Sequence, residues 1–525
     1  MNVPIFILNG IKVLYKSCFS QISVNGFLTQ PVFLKSGVKQ GCPLSPFLFI
    51  CAIEPLLILL RTDKVIRGVP VPRGGGPQVK VLSYMDDLTV FCSSSYSIKR
   101  ALFHTSFFCG ASGFKLNMHK CNCLGVGVWD ESPTPDILFQ QDKIKILGII
   151  FNSDITGTVN WDSVLMKLEK KVLIWNLRDL TMEGKILIIK MVLLPIMLHV
   201  GMVFPPSNVY IKKLTRVCFK FLWGSKMEKL KRESMYKDKS KGGRNVLNLL
   251  LFFHVKYFRF CFKLFNSDGI FSCFLKYAAG MVFKKWFRVP LNSPVLLCPP
   301  KHYAVLEKAV RLFNFKNVET EILGDQRKVS KVLKHDEVTV PVSNFSEDRS
   351  KKVWRNVFGK FLANTHKDLS WAIAHQCLPT REFQHRRGLV ARAKCPRETC
   401  CIDETVLHLF WNCPFAQEVW KVAGPLFKHV GGFKDFNHLM VLFGLFVCST
   451  SSQYNICWMM INCFKNAIWK TRNILLFKRD FIDVKNCIKI AFSEMYIYFL
   501  RDKKCLGAEK AMHVWGFKLW NDILM

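Results

Sequence analysis

The sequence predicts an α+β chain, with short strand hairpins early and helices from residue 160 onward. Three observations carry that prediction. Ser83-Tyr84-Met85-Asp86-Asp87-Leu88-Thr89-Val90-Phe91 places two adjacent carboxylates between apolar runs, which reads as strand, tight turn, strand. Leu165, Leu168, Val172 and Trp175 recur at helical steps of three and four. Cys395, Cys400 or Cys401, His408 and Cys413 then bring four soft or borderline ligands into a short span.

Composition narrows the partners. The 525 residues are 50% apolar, enough for several cores, and 75 Lys plus Arg against 38 Asp plus Glu leave a net charge of +37. So large a positive excess favours a polyanion. Nucleic acid is the first choice and an anionic membrane surface the second. The 21 cysteines follow no regular framework, so they are expected reduced and the protein intracellular, in the nucleus, the cytoplasm or both. Met1 to Leu14 is apolar but lacks a basic leader and a small-residue cleavage site, which argues against secretion. Ile186 to Phe204 and Val246 to Phe265 are broken by charges or proline and are expected as buried helices, with no membrane partner.

In chain order, Ile5 to Leu14 opens the sequence, and Ser20 to Phe27 alternates around Asn25-Gly26 as a hairpin should. The first acidic residue is Glu54. Gly37-Val-Lys-Gln-Gly-Cys-Pro-Leu-Ser-Pro46 is a loop running into Phe47 to Leu60, a helix expected to be capped by Ser45, started by Pro46 and buried nearly all round. Lys39, Gln40 and free amides at such a helix start suit a phosphate or nucleotide, although most such loops are plain connectors. Gly74-Gly75-Gly76 reads as a connector without chemistry.

The paired aspartates come next. Adjacent carboxylates repel, and a hairpin tip that holds both makes sense with a hard cation such as Mg2+ between them and a phosphate, against the common alternative of a solvated turn. Ile98 to Ala111 reads as helix. Ser112-Gly-Phe-Lys-Leu-Asn117 with Lys120, then Ile146-Leu-Gly148, complete the early region.

Those motifs together, Gly37 to Pro46, Tyr84-Met85-Asp86-Asp87, Ser112 to Asn117 with Lys120, and Ile146 to Gly148, resemble in order and spacing the reverse transcriptases of LINE-type (non-LTR) retrotransposons. The resemblance implies an RNA-directed DNA polymerase, a nucleotidyltransferase with Mg2+ held at Asp86 and Asp87. It also implies Tyr84 beside the primer terminus, Gln40 and Gly41 lining the nucleotide pocket, and Lys120 near the triphosphate. An RNA template and a DNA primer would be its partners, with non-specific nucleic acid besides. The family's pocket uses three carboxylates, and the third lies on an earlier strand that the acid-free stretch before Glu54 does not supply. The chain is therefore expected to be a C-terminal portion of such an enzyme, inactive or impaired. A binding protein without catalysis and a decayed element without function are the alternatives.

The implied organisation is a partial right-hand palm, an antiparallel sheet with helices, at 1–152. A helical thumb at 153–265, a connector at 266–350, a zinc-binding segment at 351–430 and a helical region at 431–525 follow. Between Lys226 and Arg244, eight basic residues against three acidic make either a solvated loop or a contact for backbone phosphates. The mixed-charge run Asp325 to Asp348 reads as linker.

Cys395, Cys400, His408 and Cys413 stand with four, seven and four residues between them, a spacing that suits zinc, against the alternative of buried reduced thiols. Cys401 competes with Cys400. Leu378-Pro-Thr-Arg381, Arg386-Arg387-Gly388, Cys395-Pro, Glu404-Thr405, His408 and Cys413 to Trp420 resemble the zinc-binding segment that follows the reverse transcriptase in many LINE elements. Trp469-Lys-Thr-Arg-Asn473 resembles their C-terminal end. The resemblance implies bound Zn2+, with one departure. The family commonly sets two residues between the first two cysteines, which would put the second ligand at Glu398.

Overall fold

The computed structural model describes residues 3–34, 36–72, 77–126, 138–140, 143–152, 157–287, 295–298, 300, 303–313, 338–397, 400–432 and 435–515. The Gly74–Gly76 connector, Glu398 and residues 325–337 of the mixed-charge run lie outside them. The chain divides into two compact units, Met1–Gly157 with Phe265–Pro299, and Thr158–Leu264 with Pro300–Met525. The segments expected as thumb, zinc-binding segment and terminal helices thus belong to one unit.

The first unit begins with α1 (Ile5–Tyr15), which buries none of its side chains. Two hairpin-like pairs follow, β1 (Phe19–Ser20) with β4 (Val32–Phe33) and, inside it, β2 (Ser23–Val24) with β3 (Phe27–Leu28). The inner turn is Asn25-Gly26, both at positive φ (49° and 88°), as a mirror-image hairpin turn requires. After α2 (Ser45–Thr62), β5 (Val69–Pro70) pairs with β6 (Gln78–Val79), and β7 (Val81–Tyr84) with β8 (Asp87–Val90). α3 (Ser95–Ser112) has clear ends, with the Ser94 side chain accepting from the Ser97 amide and Gly113 in the left-handed conformation.

β9 (Asn122–Leu124) runs parallel to β10 (Leu138–Gln140), and β11 (Lys143–Ile146) forms a hairpin with β12 (Ile149–Asn152). One antiparallel sheet was the expectation for this region. The described strands instead form six separate pairs, because most are two or three residues long and are closed by local turns.

The core of this unit lies where one face of α2 (Ile53, Leu56, Leu57, Leu60) meets Ala101 and Phe108 of α3, with Val81, Leu88 and Val90 of the hairpin packed in. Only that face is covered. Phe47, Ile50 and Ile58 remain exposed, so α2 is half-buried rather than buried all round. Its capping also differs from expectation. Ser45 lies inside the first turn, after Leu44, and its hydroxyl donates to the Lys39 carbonyl at 2.5 Å. α2 and the apolar stretch 182–201 are the described helices long and apolar enough to cross a membrane, and each contributes side chains to a core.

In the second unit, α4 (Thr158–Asn176) buries Trp161, Val164, Leu168 and Val172 at steps of three and four. α5 (Met182–Ile188) passes through a π-turn (Ile189–Leu193) into α6 (Leu194–Gly201), so the wider turn lies immediately before Pro195. α7 (Asn208–Trp223), α8 (Arg232–Tyr236) and α9 (Leu249–Phe265) follow. α10 (Ile270–Phe287) belongs to the first unit. The second unit resumes with α11 (Ala304–Phe313), α12 (Glu347–Val357), α13 (Asn364–Ala374) and α14 (Arg381–Arg386). α15 (Pro414–Gly431), α16 (His438–Phe443), α17 (Ser451–Lys478), α18 (Val484–Leu506) and α19 (Ala508–Trp515) complete it. The boundary expected near 350 falls inside α12, whose Ser350 is buried.

Candidate active site and metal centre

The two aspartates sit where strand and turn chemistry put them. Tyr84 pairs with Asp87 across the ladder, leaving Met85 and Asp86 as a two-residue turn. A turn this tight needs φ > 0 at its first central residue, and Met85 supplies it at 55° although it is not glycine. Val81, Leu88 and Val90 anchor the hairpin to the core, while Asp86 and Asp87 face solvent and Tyr84 is 67% exposed. Among the described residues neither aspartate belongs to a group of three ligating side chains.

Asp63, at the end of α2, is the acid closest in sequence, and it is committed elsewhere. Its carboxylate accepts from Arg100 Nε at 2.7 Å, from the Val65 amide at 2.7 Å and contacts His104 Nε2 at 2.6 Å. The His104 bond first, then the Arg100 bond, hold this carboxyl well below the usual range. It fastens α2 to α3. A two-carboxylate hairpin is an incomplete site for a pair of catalytic Mg2+ ions.

The other expected nucleotide-site residues are present but separate. Gln40 and Gly41 are exposed, Gly41 at φ +85°, while the expected phosphate ligand Lys39 donates from Nζ to the Leu14 carbonyl at 3.0 Å. Lys120 ends an exposed 3-10 turn, Met118–Lys120. Among the described residues no hydrogen bond or ion pair joins Gln40, Gly41 or Lys120 to the hairpin.

The cysteine-histidine set is different. Cys395, Cys400, His408 and Cys413 are all buried, with ligating atoms within 4.8 Å of one another, whereas Cys401 is exposed. A short bridge, Lys394 with Asp403, and the turn from the Cys400 amide to the Arg397 carbonyl close the first loop around Cys395 and Cys400. His408 and Cys413 reach the same point by a π-turn (His408–Asn412), with the Cys413 amide bonded to the His408 carbonyl at 2.8 Å. In an α-helix residues five apart point about 140° away from each other. The wider turn restores them to one side.

Cys413 also precedes α15, and its thiol is pulled well below the usual range. The Cys395 thiol is the main cause; burial opposes it, and His408 and the amides of Phe415 and Ala416 assist. The bond with Cys413, and then burial, push the Cys395 thiol up in return. His408 Nε2 lies 3.3 Å from Cys400 Sγ. Thiolates at about 2.3 Å from one zinc ion lie about 3.8 Å apart, so this closed, buried set of three sulfurs and one imidazole fits structural zinc.

Several buried charges around these elements carry no chemistry that the sequence revealed. Glu404 and Arg472, both buried, pair through Nε–Oε1 at 2.8 Å and Nη2–Oε2 at 2.5 Å, while Glu404 also accepts from the Arg381 amide. The Leu378–Arg381, Glu404-Thr405 and Trp469–Asn473 motifs thus meet at one ion pair. Their shared position was invisible in the sequence because its partners are 68 residues apart.

Arg244, at the end of the basic loop, is neither in solvent nor open to phosphates. It is 1% exposed, 2.7 Å from Asp368 and stacked 4.4 Å from the Trp371 ring centre. Gly242 and Gly243 allow this, since a Cβ on Gly242 would meet the Trp354 ring at 2.5 Å and one on Gly243 the Lys237 carbonyl at 1.9 Å. Arg397, also buried, covers the Phe415 ring at 3.4 Å beside the metal centre.

Comparison with known proteins finds matches in both regions. Residues 5–151 match the family model for reverse transcriptase (RNA-dependent DNA polymerase), and residues 341–420 match that for zinc-binding in reverse transcriptase. The chain is 28% identical over 226 residues, 41% of its length, to the transposon TX1 uncharacterized 149 kDa protein of Xenopus laevis. It is 32% identical over 101 residues, 19% of its length, to the Pol polyprotein of a type-1 retrotransposable element R2 from Popillia japonica. To that of the type-2 element R2DM from Drosophila melanogaster it is 27% identical over 125 residues, 24% of its length. The matched stretches span 17%, 14% and 11% of those three proteins. Over these two segments the chain is similar to reverse transcriptases and to their zinc-binding segment, in particular to those of the LINE-type, non-LTR retrotransposons.

Proposed function

We propose that this polypeptide derives from a reverse transcriptase and keeps the metal-binding hairpin, where among the described residues Asp86 and Asp87 stand with no third ligating side chain beside them. Its polymerase activity is absent or severely impaired. The observation that carries this reading is the state of the acids. Asp86 and Asp87 stand exposed on the hairpin, and Asp63 is bound to Arg100 and His104. Mg2+ at Asp86 and Asp87 would supply charge stabilisation at a transferred phosphate, and two exposed carboxylates alone would hold it weakly. Tyr84 would flank the primer terminus, Gln40 and Gly41 would line the nucleotide, and Lys120 would supply positive charge. Mg2+-dependent primer extension on an RNA template tests this. Incorporation above background that disappears with Asp86→Ala overturns it.

A second reading has its own support. The buried Cys395, Cys400, His408 and Cys413 set and the +37 charge suit a zinc-containing protein that binds RNA and DNA without polymerising. Zinc there holds two loops together, leaving Lys and Arg side chains to meet phosphates without reading sequence. Binding to structured RNA that weakens steeply with salt, with no nucleotide incorporated, supports it.

A further inference from the structure

Beside the metal centre, α15 contains a choice that its own stability does not explain. Gly424 and Pro425 occupy the middle of the helix, where each is unfavourable. A structural glycine is there because a side chain would collide. Around Gly424 nothing lies within 4 Å of where a Cβ would be. Pro425 has no N–H to give to the Lys421 carbonyl four residues back, so that acceptor stands outside the helix ladder.

Both features open onto one groove of about 450 Å³. Gln417, Trp420, Lys421, Gly424 and Lys428 recur along one face of α15 and line it together with Trp411 and Phe436. Trp411 belongs to the π-turn that joins two of the metal ligands, so the metal centre positions it. Its ring centre lies 5.7 Å from that of Phe436, while the Trp420 indole is fixed by donating to the Phe410 carbonyl at 2.6 Å. No carboxylate lines the groove, and two lysines do.

Aromatic rings, cations on the rim and a carbonyl deprived of its Pro425 donor over a side-chain-free floor match a planar base on a polyanionic backbone. We propose that this groove holds one unpaired nucleobase of a single-stranded nucleic acid. The base lies against Trp411 and Phe436 over Gly424, a base N–H donates to the Lys421 carbonyl, and neighbouring phosphates meet Lys421 and Lys428. This rests on the nucleic-acid-binding reading above and adds a place and a ligand form to it. A proline-rich peptide is the competing occupant of an aromatic groove, and the lysine rim disfavours it.

The test compares a labelled oligothymidylate with an abasic strand of equal length, by anisotropy on the full zinc-loaded chain. Both strands carry the same charge, so their affinity ratio isolates the base. The ratio expected for the wild-type chain is about tenfold in favour of the base-bearing strand. Gly424→Leu fills the floor without changing charge and brings the ratio close to one, with abasic-strand affinity retained.

An unchanged ratio in Gly424→Leu overturns the proposal. Equal wild-type affinity for the two strands also overturns it and leaves the nucleic-acid reading standing, whereas no binding of either strand removes both. Should Gly424→Leu lower the zinc content or Tm, Pro425→Ala provides the second arm, because restoring an N–H and removing a helix breaker favours folding. A raised Tm with a lower ratio supports the groove, and a raised Tm with the ratio unchanged rejects it.

Discussion

The hairpin region at 19–152 and the metal-centre region at 341–515 solve opposite problems. In the first, the residues suited to chemistry (Gln40, Gly41, Tyr84, Asp86, Asp87 and Lys120) are all exposed on strands and turns of at most four residues. Apolar side chains there stay in water too, including Phe27 and Val126, each more than 80% exposed. Every Å² left uncovered forgoes about 25 cal/mol of stabilisation. In the second, the chemical residues are the core. Cys395, Cys400 and Cys413 pack in one cluster with Trp420, Phe427, Phe464 and Trp458. A site for a transferable ligand has to stay open, whereas a structural metal has to be closed off. The contrast places the stability of this chain in the metal-centre region rather than in the hairpin region.

The largest expected effect would break the closed region. Cys400→Ser abolishes stoichiometric zinc binding, and Cys401→Ser retains it; metal analysis of the purified proteins, with Tm by calorimetry, decides between the two cysteines. Next, Glu404→Ala strands Arg472 in the interior and lowers the stability of the second unit by about 3–5 kcal/mol, read from denaturant midpoints.

The open region should respond more gently and differently. Asp63→Asn costs about 1.5–3 kcal/mol, because hydrogen bonds to a charged group are lost. The folded pKa of Asp63 lies below its unfolded value, so its contribution is complete above about pH 4 and declines as pH falls through the folded value. Asp63→Asn should remove that acid sensitivity from the first unit, and an unaltered acid transition would refute the assignment. Smallest, Met85→Gly relieves the positive φ at the turn and raises hairpin stability by at most about 1 kcal/mol, once the extra freedom of unfolded glycine is counted. Amide exchange across β7 and β8 would show the gain as slower opening.

Local signals explain what the sequence disclosed. The hairpin at Asp86-Asp87 follows from alternation and a short interval, the Asn25-Gly26 turn from two residues that tolerate positive φ, and α3 from Ser94 and Gly113 at its ends. Features that depend on distant partners stayed hidden. Nothing in Lys226–Arg244 says that Arg244 turns inward, since its ion pair and its stacking surface lie at Asp368 and Trp371.

Spacing alone likewise left Cys400 and Cys401 equivalent, and only the fold of the Lys394–Asp403 loop buries one and exposes the other. The π-turn at His408 was illegible because a four-residue gap between ligands is compatible with a loop or a helix. Expected burial of α2 failed for a related reason. Apolar composition reports what could be covered, and coverage depends on how much other structure is at hand.

The Glu404–Arg472 pair has a consequence for how this region could travel between proteins. The stretch that matches the zinc-binding family model ends at residue 420, yet the guanidinium that neutralises its buried carboxylate stands at 472, toward the C-terminal end of α17. Cut at 420, the segment would keep every metal ligand and lose its counter-charge together with the helix that seals its core. What sequence similarity outlines as a cassette is therefore not transplantable on those borders, and a recipient would have to inherit α17 with it.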